Sequence, residues 1–160
     1  MRILHLLNHT RRLNGHVHAA VDLACAQAGL GHDVAMASEG GDFDALLDRH
    51  GVVRAAVGHQ RRPLALIGSV RQLRRFVRTW RPDVIHAHMM TSAVIAWPVC
   101  KLGGIPLVTT VHNAFERSAV LMGLGTRVIA VSAAVARSMA ERGIPERTLH
   151  VVLNCKIGSA

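Results

Sequence analysis

Eleven of the 160 residues are histidine, and several sit where an imidazole can act on a ligand. His86 and His88, in DVIHAH, are two residues apart near the end of a β-type run, so their side chains leave the same face. His112 closes a second such run, LVTTVH, and the polar Asn113 that follows favours a site over a core position. If the two strands are neighbours, about 5 Å apart, the three rings meet in one crevice as neutral donors to hydroxyls or phosphate. His88 has a plainer alternative as a strand-end residue capping local backbone. His16 and His18 lie near the start of the first helix. Three imidazoles could also build a zinc site, and with it a metal-dependent hydrolase. No carboxylate completes a recognised metalloenzyme spacing, so no metal is expected.

A second chemical signal is the turn Asn8–Gly15, NHTRRLNG, between the first strand and the first helix. Gly15 at the helix entry lets a ligand approach the backbone, and the free N–H groups there attract anions, reinforced by Arg11 and Arg12. Asn14, Gly15 and His16 are therefore candidate ligand contacts, with a solvent-facing turn as the alternative. Neither GxGxxG nor GxxxxGK[ST] is present, which excludes the dinucleotide fingerprint and the P-loop.

The net charge of +9, from 19 basic and 10 acidic residues, has one source. Between Asp48 and Asp83 stand Arg49, Arg54, Arg61, Arg62, Arg71, Arg74, Arg75, Arg78 and Arg81, without an acid. Within this segment Leu66, Val70, Leu73, Val77 and Trp80 form an apolar stripe at helical spacing. Arg71, Arg74, Arg75 and Arg78 gather beside it. A solvated helix face is the ordinary explanation for surface charge. This run of one sign points instead to an anionic partner, a lipid surface or an anionic acceptor. With aromatics at 3% and no Tyr, stacking on nucleic acid is not expected.

These residues need a scaffold, and the pattern supplies one. Strand-type runs at Met1–Leu7, Asp33–Ser38, Val52–Val57, Asp83–His86, Pro106–Val111, Arg127–Val131 and Leu149–Leu153 alternate with helical stretches. The helices are Gly15 to about Leu30, Phe43–Arg49, Leu64–Trp80, Thr91–Leu102 and Ala133–Arg142. Near-continuous apolar strands alternating with helices predict an α/β domain with a doubly wound parallel sheet of about seven strands, Rossmann-like and covered on both faces. Such sheets bind ligands beyond the carboxyl ends of their strands. The loops after strands one, four, five and six should thus carry the function.

Half of the residues are apolar, yet no run of 18 apolar residues occurs and no signal-peptide cleavage pattern is present. Cys25, Cys100 and Cys155 show no CxxC or metal-type spacing, which fits a reducing cytoplasm, with Cys25 and Cys100 as buried hydrophobes.

With those residues placed, the chain resembles the N-terminal domain of glycosyltransferase family 4, retaining enzymes with two facing Rossmann-like domains (the GT-B fold). The resemblance rests on MRILHLL with its Gly turn, RPDVIHAH, PLVTTVHN, RVIAVSAAVARSMAERGIP and LHVVLN in order. It implies that residues 1–160 are one acceptor-side domain, and that a nucleotide-sugar-binding partner domain with paired glutamates and basic phosphate ligands is absent from this chain, which is then either an excised fragment or, as the alternative, a non-catalytic membrane-recruiting or acceptor-binding subunit of a split glycosyltransferase. It implies a saccharide or lipid-linked acceptor, a nucleotide-sugar donor as substrate, no separate cofactor and no activity for the domain alone. Attachment to the inner face of a membrane would follow from the basic helix. His112 matches the family's histidine that touches the transferred sugar. Gly15 matches the second residue of the family's Gly-Gly turn, here Asn14-Gly15, and Ser132 matches the serine of its VS element. The family's closing Asn-Gly stands here as Asn154-Cys155.

Overall fold

The apolar runs become seven strands: β1 (Arg2–Leu6), β2 (Asp33–Ser38), β3 (Val53–Ala56), β4 (Val84–Ala87), β5 (Leu107–Val111), β6 (Arg127–Ala130) and β7 (Leu149–Val151). A computed structural model describes residues 1–60, 62–114 and 116–153. The Asn154-Cys155 pair, Cys155 with it, and Arg61 lie outside the described residues. All strand pairs are parallel, in the order β3-β2-β1-β4-β5-β6-β7. The order therefore reverses between β1 and β4, and this is the doubly wound sheet that strand–helix alternation predicts.

The helices are α1 (Gly15–Gly29), α2 (Asp44–Arg49), α3 (Pro63–Trp80), α4 (Met90–Gly103) and α5 (Ala133–Glu141). A 3₁₀ helix over Arg117–Leu124 fills a stretch that reads as loop in the sequence. The fourth strand starts and ends one residue later than expected, so His86 lies inside it and His88 just beyond it.

Right-handed crossovers send connections to opposite faces once the direction of winding reverses. One face buries Leu4, Leu6, Ile85, Leu107 and Val128 against Leu73 and Val77 of α3, Ile95 and Val99 of α4, and Met139 of α5. Burial of each such side chain contributes about 1.5–3 kcal/mol. The other face buries Leu7, Val34 and Met36 under Val17, Ala20, Val21 and Ala24 of α1 and Leu47 of α2. Cys25 and Cys100 are buried, as expected. On this second face a cavity lies between α1 and the carboxyl-end side chains of β4, β5 and β6.

Candidate functional site

On the second face, side chains alternate out of the strands to form a seam of imidazoles along the edge of α1. His5 of β1 lies level with His86 of β4, and His88 follows two residues on. Ring centroids are 5.3 Å apart for His5–His86, 5.2 Å for His5–His88 and 4.1 Å for His86–His88. His5 Nδ1 and His88 Nε2 share a hydrogen at 2.9 Å. His5 Nε2 donates to Gln27 Oε1 of α1 at 2.7 Å in the tautomer consistent with that bond. His86 Nε2 pairs with Thr110 Oγ1 at 2.6 Å. Burial disfavours the imidazolium throughout: it lowers His5 to about 4, and holds His86 and His88 well below the usual histidine range, with neighbouring rings adding to the effect. The seam is therefore neutral at pH 7.

β4 and β5 are neighbours, with Ala87 level with Thr109. The convergence expected of His86, His88 and His112 follows. His112 stands at the carboxyl end of β5, its ring 5.9 Å from that of His88 and 5.9 Å from that of His16. His16, His88, His112 and Asn113 line a crevice of about 150 Å³. An adjoining cavity of about 300 Å³ is lined by His86, His88, Thr110, His112 and apolar Ile129 and Val131. Among the described residues neither ring nitrogen of His112 has a partner, and burial lowers its pKa to about 4. Burial lowers His16 too. A neutral ring with both nitrogens unanswered is suited to donate to, or accept from, a ligand hydroxyl or phosphate.

Gly15 opens α1 at the same sheet edge, and nothing lies within 4 Å of the position a Cβ would take. Asn14 is the N-cap residue, but its side chain makes no cap bond, which leaves first-turn amides for an anion. The loop before it is fixed by contacts the sequence does not announce. Thr10 donates its hydroxyl to Asp44 Oδ1 at 2.6 Å and accepts at its carbonyl from Phe43 N–H. Arg12 N–H donates to Asp42 at 2.9 Å, and the Arg12 guanidinium lies 5.2 Å from the Phe43 ring centre. Arg54 in turn holds Asp44 at 2.8 Å and Asp48 at 2.6 Å. Gly41 permits this packing, since a Cβ there would stand 2.5 Å from the Thr10 carbonyl carbon.

The remaining expected residues lie elsewhere. Ser132 is the N-cap of α5, its hydroxyl accepting from Val135 N–H at 3.2 Å, and it lines neither cavity. Arg71, Arg74, Arg75 and Arg78 are exposed on α3, away from the imidazole seam, and form no ion pair among the described residues. His18 packs edge-on against Phe43, 4.8 Å between centroids. Sequence reasoning missed His5, Gln27 and Thr110. The only signal for His5 was a polar residue inside MRILHLL. With it the ion-binding geometry changes: among the described residues, the trio that converges is His5, His86 and His88, with His5 in the place expected for His112.

The family model of Glycosyltransferase Family 4 matches residues 13–155. No curated protein sequence matches the chain. Among solved structures, the chain is similar to Anabaena HepE in complex with UDP and glucose, at 20% identity and TM-score 0.78, over 96% of this chain and 44% of that one. A glycosyltransferase from Rickettsia africae matches at 20% identity and TM-score 0.81, over 95% and 42%. The lipopolysaccharide outer core galactosyltransferase WaaB, in its apo form, matches at 15% identity and TM-score 0.76, over 96% and 46%. The chain thus spans less than half the length of each. At these identities the likeness establishes the fold.

Proposed function

The chain belongs to glycosyltransferase family 4, and we propose that it is the acceptor-side domain of a retaining transferase that moves a sugar from a nucleotide-sugar to a saccharide or lipid-linked acceptor. The observation that carries the reading is the crevice at the carboxyl ends of β1, β4 and β5. There His112, with both ring nitrogens unanswered, faces His16 beside the Gly15-opened start of α1. UDP and glucose in the HepE complex and the likeness to WaaB, a lipopolysaccharide outer core galactosyltransferase, support this donor and acceptor chemistry. In the proposed reaction His112 touches the transferred sugar as a neutral ring. His16 and the first-turn amides of α1 steady anionic oxygen, and Asn113 orients hydroxyls. Stabilisation of the departing diphosphate falls largely to a second domain. The 160-residue chain alone should therefore give no transfer. In the full-length protein, His112→Ala should lower turnover of a nucleotide-sugar roughly 10²-fold. A full-length protein that neither binds nor hydrolyses any nucleotide-sugar would refute the reading.

A second reading concerns location. No helix among the described residues is long and apolar enough to cross a membrane. On α3, Leu64 and Ile67 are 84% and 50% exposed. At 3.6 residues per turn they share an arc of about 100° with Arg71, Arg74, Arg75 and Arg78. Apolar side chains among unpaired arginines suit the cytoplasmic surface of an anionic bilayer, with about 1 kcal/mol of attraction per basic residue. Flotation should therefore show binding to anionic but not neutral vesicles, lost in Arg71/Arg74/Arg75/Arg78→Glu. Equal behaviour toward both vesicles removes the membrane role and leaves the transferase reading intact.

A further inference from the structure

We propose that His5, His86 and His88 form a binding site for a divalent transition ion of the zinc type, held under α1 and open on its fourth side to the cavity over β4–β6. One ring nitrogen from each lies within 4.8 Å of the others, and all three side chains are buried. Two of the rings are already oriented from outside. His5 Nε2 is held by Gln27 Oε1 at 2.7 Å and His86 Nε2 by Thr110 Oγ1 at 2.6 Å. Each bond occupies one nitrogen and leaves Nδ1 as the ring's other ligand atom. This is the supporting layer that metal-bound imidazoles have, one nitrogen on the ion and the other on a carbonyl or similar group. The third ring is held from the ligand side alone: His88 Nε2 meets His5 Nδ1 at 2.9 Å, while among the described residues no group answers its buried Nδ1.

The donor set selects the ion. Imidazoles without a carboxylate suit zinc, copper or nickel, whereas magnesium and calcium require oxygen ligands. With Zn–N of about 2.0–2.1 Å, two ligands of a tetrahedral ion stand roughly 3.3 Å apart. His5 Nδ1 and His88 Nε2, at 2.9 Å, need to open by only a few tenths of an ångström. The hydrogen they share then moves to His88 Nδ1. The fourth ligand is a water from the cavity of about 300 Å³, which Asp22 and His112 also line. The site stands behind the sugar crevice, so it does not rest on the transferase reading.

The test uses the untagged chain, freed of metal by chelator and titrated with Zn²⁺ and then Co²⁺, with bound ion counted by elemental analysis. One ion per chain is expected, with the visible bands of four-coordinate, nitrogen-rich cobalt. His88→Ala should abolish binding. Gln27→Leu, at a half-buried position on α1, should weaken it 10- to 100-fold, and it carries the test if His88→Ala does not fold by circular dichroism. No retained ion, a six-coordinate cobalt spectrum, or affinity unchanged in Gln27→Leu overturns the proposal.

Discussion

On β1, Leu4 and Leu6 are buried among the side chains of α3 and α4, while His5 between them reaches Gln27 on α1 across the other face. The same division runs through β4, where Ile85 and Ala87 join the apolar cluster and His86 and His88 join the imidazole seam. On β5 it separates Val111 from His112. One face thus joins strands and helices through hydrocarbon, apart from the buried Thr109 hydroxyl that donates to the Met122 carbonyl. The other gives up hydrocarbon for rings whose desolvation is only partly offset by hydrogen bonds. Where a strand surrenders apolar contact at a buried position, a ligand-related role is the economical explanation. The apolar face shows that this sequence is able to fill such positions with leucine and isoleucine.

The sharpest way to break this contrast is acid. Burial lowers the pKa of His5 from 6.5 to about 4. The unfolded chain therefore takes a proton as pH falls through 6.5, and the folded chain does not until about 4. Stability from this residue is fully present above 6.5 and is lost progressively toward 4. The loss reaches about 3 kcal/mol for His5 alone, and His86 and His88 act in the same direction. Urea unfolding with chelator present should show the midpoint falling steeply between pH 7 and pH 5. A flat profile there would mean that the seam is not desolvated in solution. Next in size is the apolar face itself. Leu6→Ala should cost about 2–5 kcal/mol with the same pH dependence as the parent chain, since Leu6 is fully buried on the opposite side of β1.

How much of this was legible follows the same division. The strands and helices were readable because period and composition decide them locally, and α1 shows it well: of Val17, Ala20, Val21, Ala24 and Ala28, its apolar face by spacing, all are buried but Ala28, which is half-buried against the same cluster. The meeting of His88 with His112 was readable because it needed only β4 beside β5. His5 was not, because a single polar residue in MRILHLL gives no hint that its strand will lie level with DVIHAH. The anchoring of the turn before α1 escaped for a related reason. Thr10, Gly41, Asp44 and Arg54 are brought together by β1–β2–β3 pairing and not by any spacing along the chain. Ser132 shows the converse ambiguity. A serine after a strand and before a helix reads equally as ligand contact and as N-cap, and its hydroxyl is engaged as the cap.

The smallest expected effect is also the most discriminating, because it compares adjacent residues of one strand. Val111 is 2% exposed and packed on the apolar face, so Val111→Ala should destabilise the chain by about 2 kcal/mol. His112→Ala removes a ring with two unanswered nitrogens. The relief of that desolvation offsets the packing lost, and stability should change by no more than about 0.5 kcal/mol. The full-length protein should nonetheless lose transfer in His112→Ala and keep most of it in Val111→Ala below its lowered melting point. Thermal unfolding paired with nucleotide-sugar turnover measures both. If His112→Ala destabilises as much as Val111→Ala, His112 is a packing residue, and the imidazole face differs from its opposite only in composition.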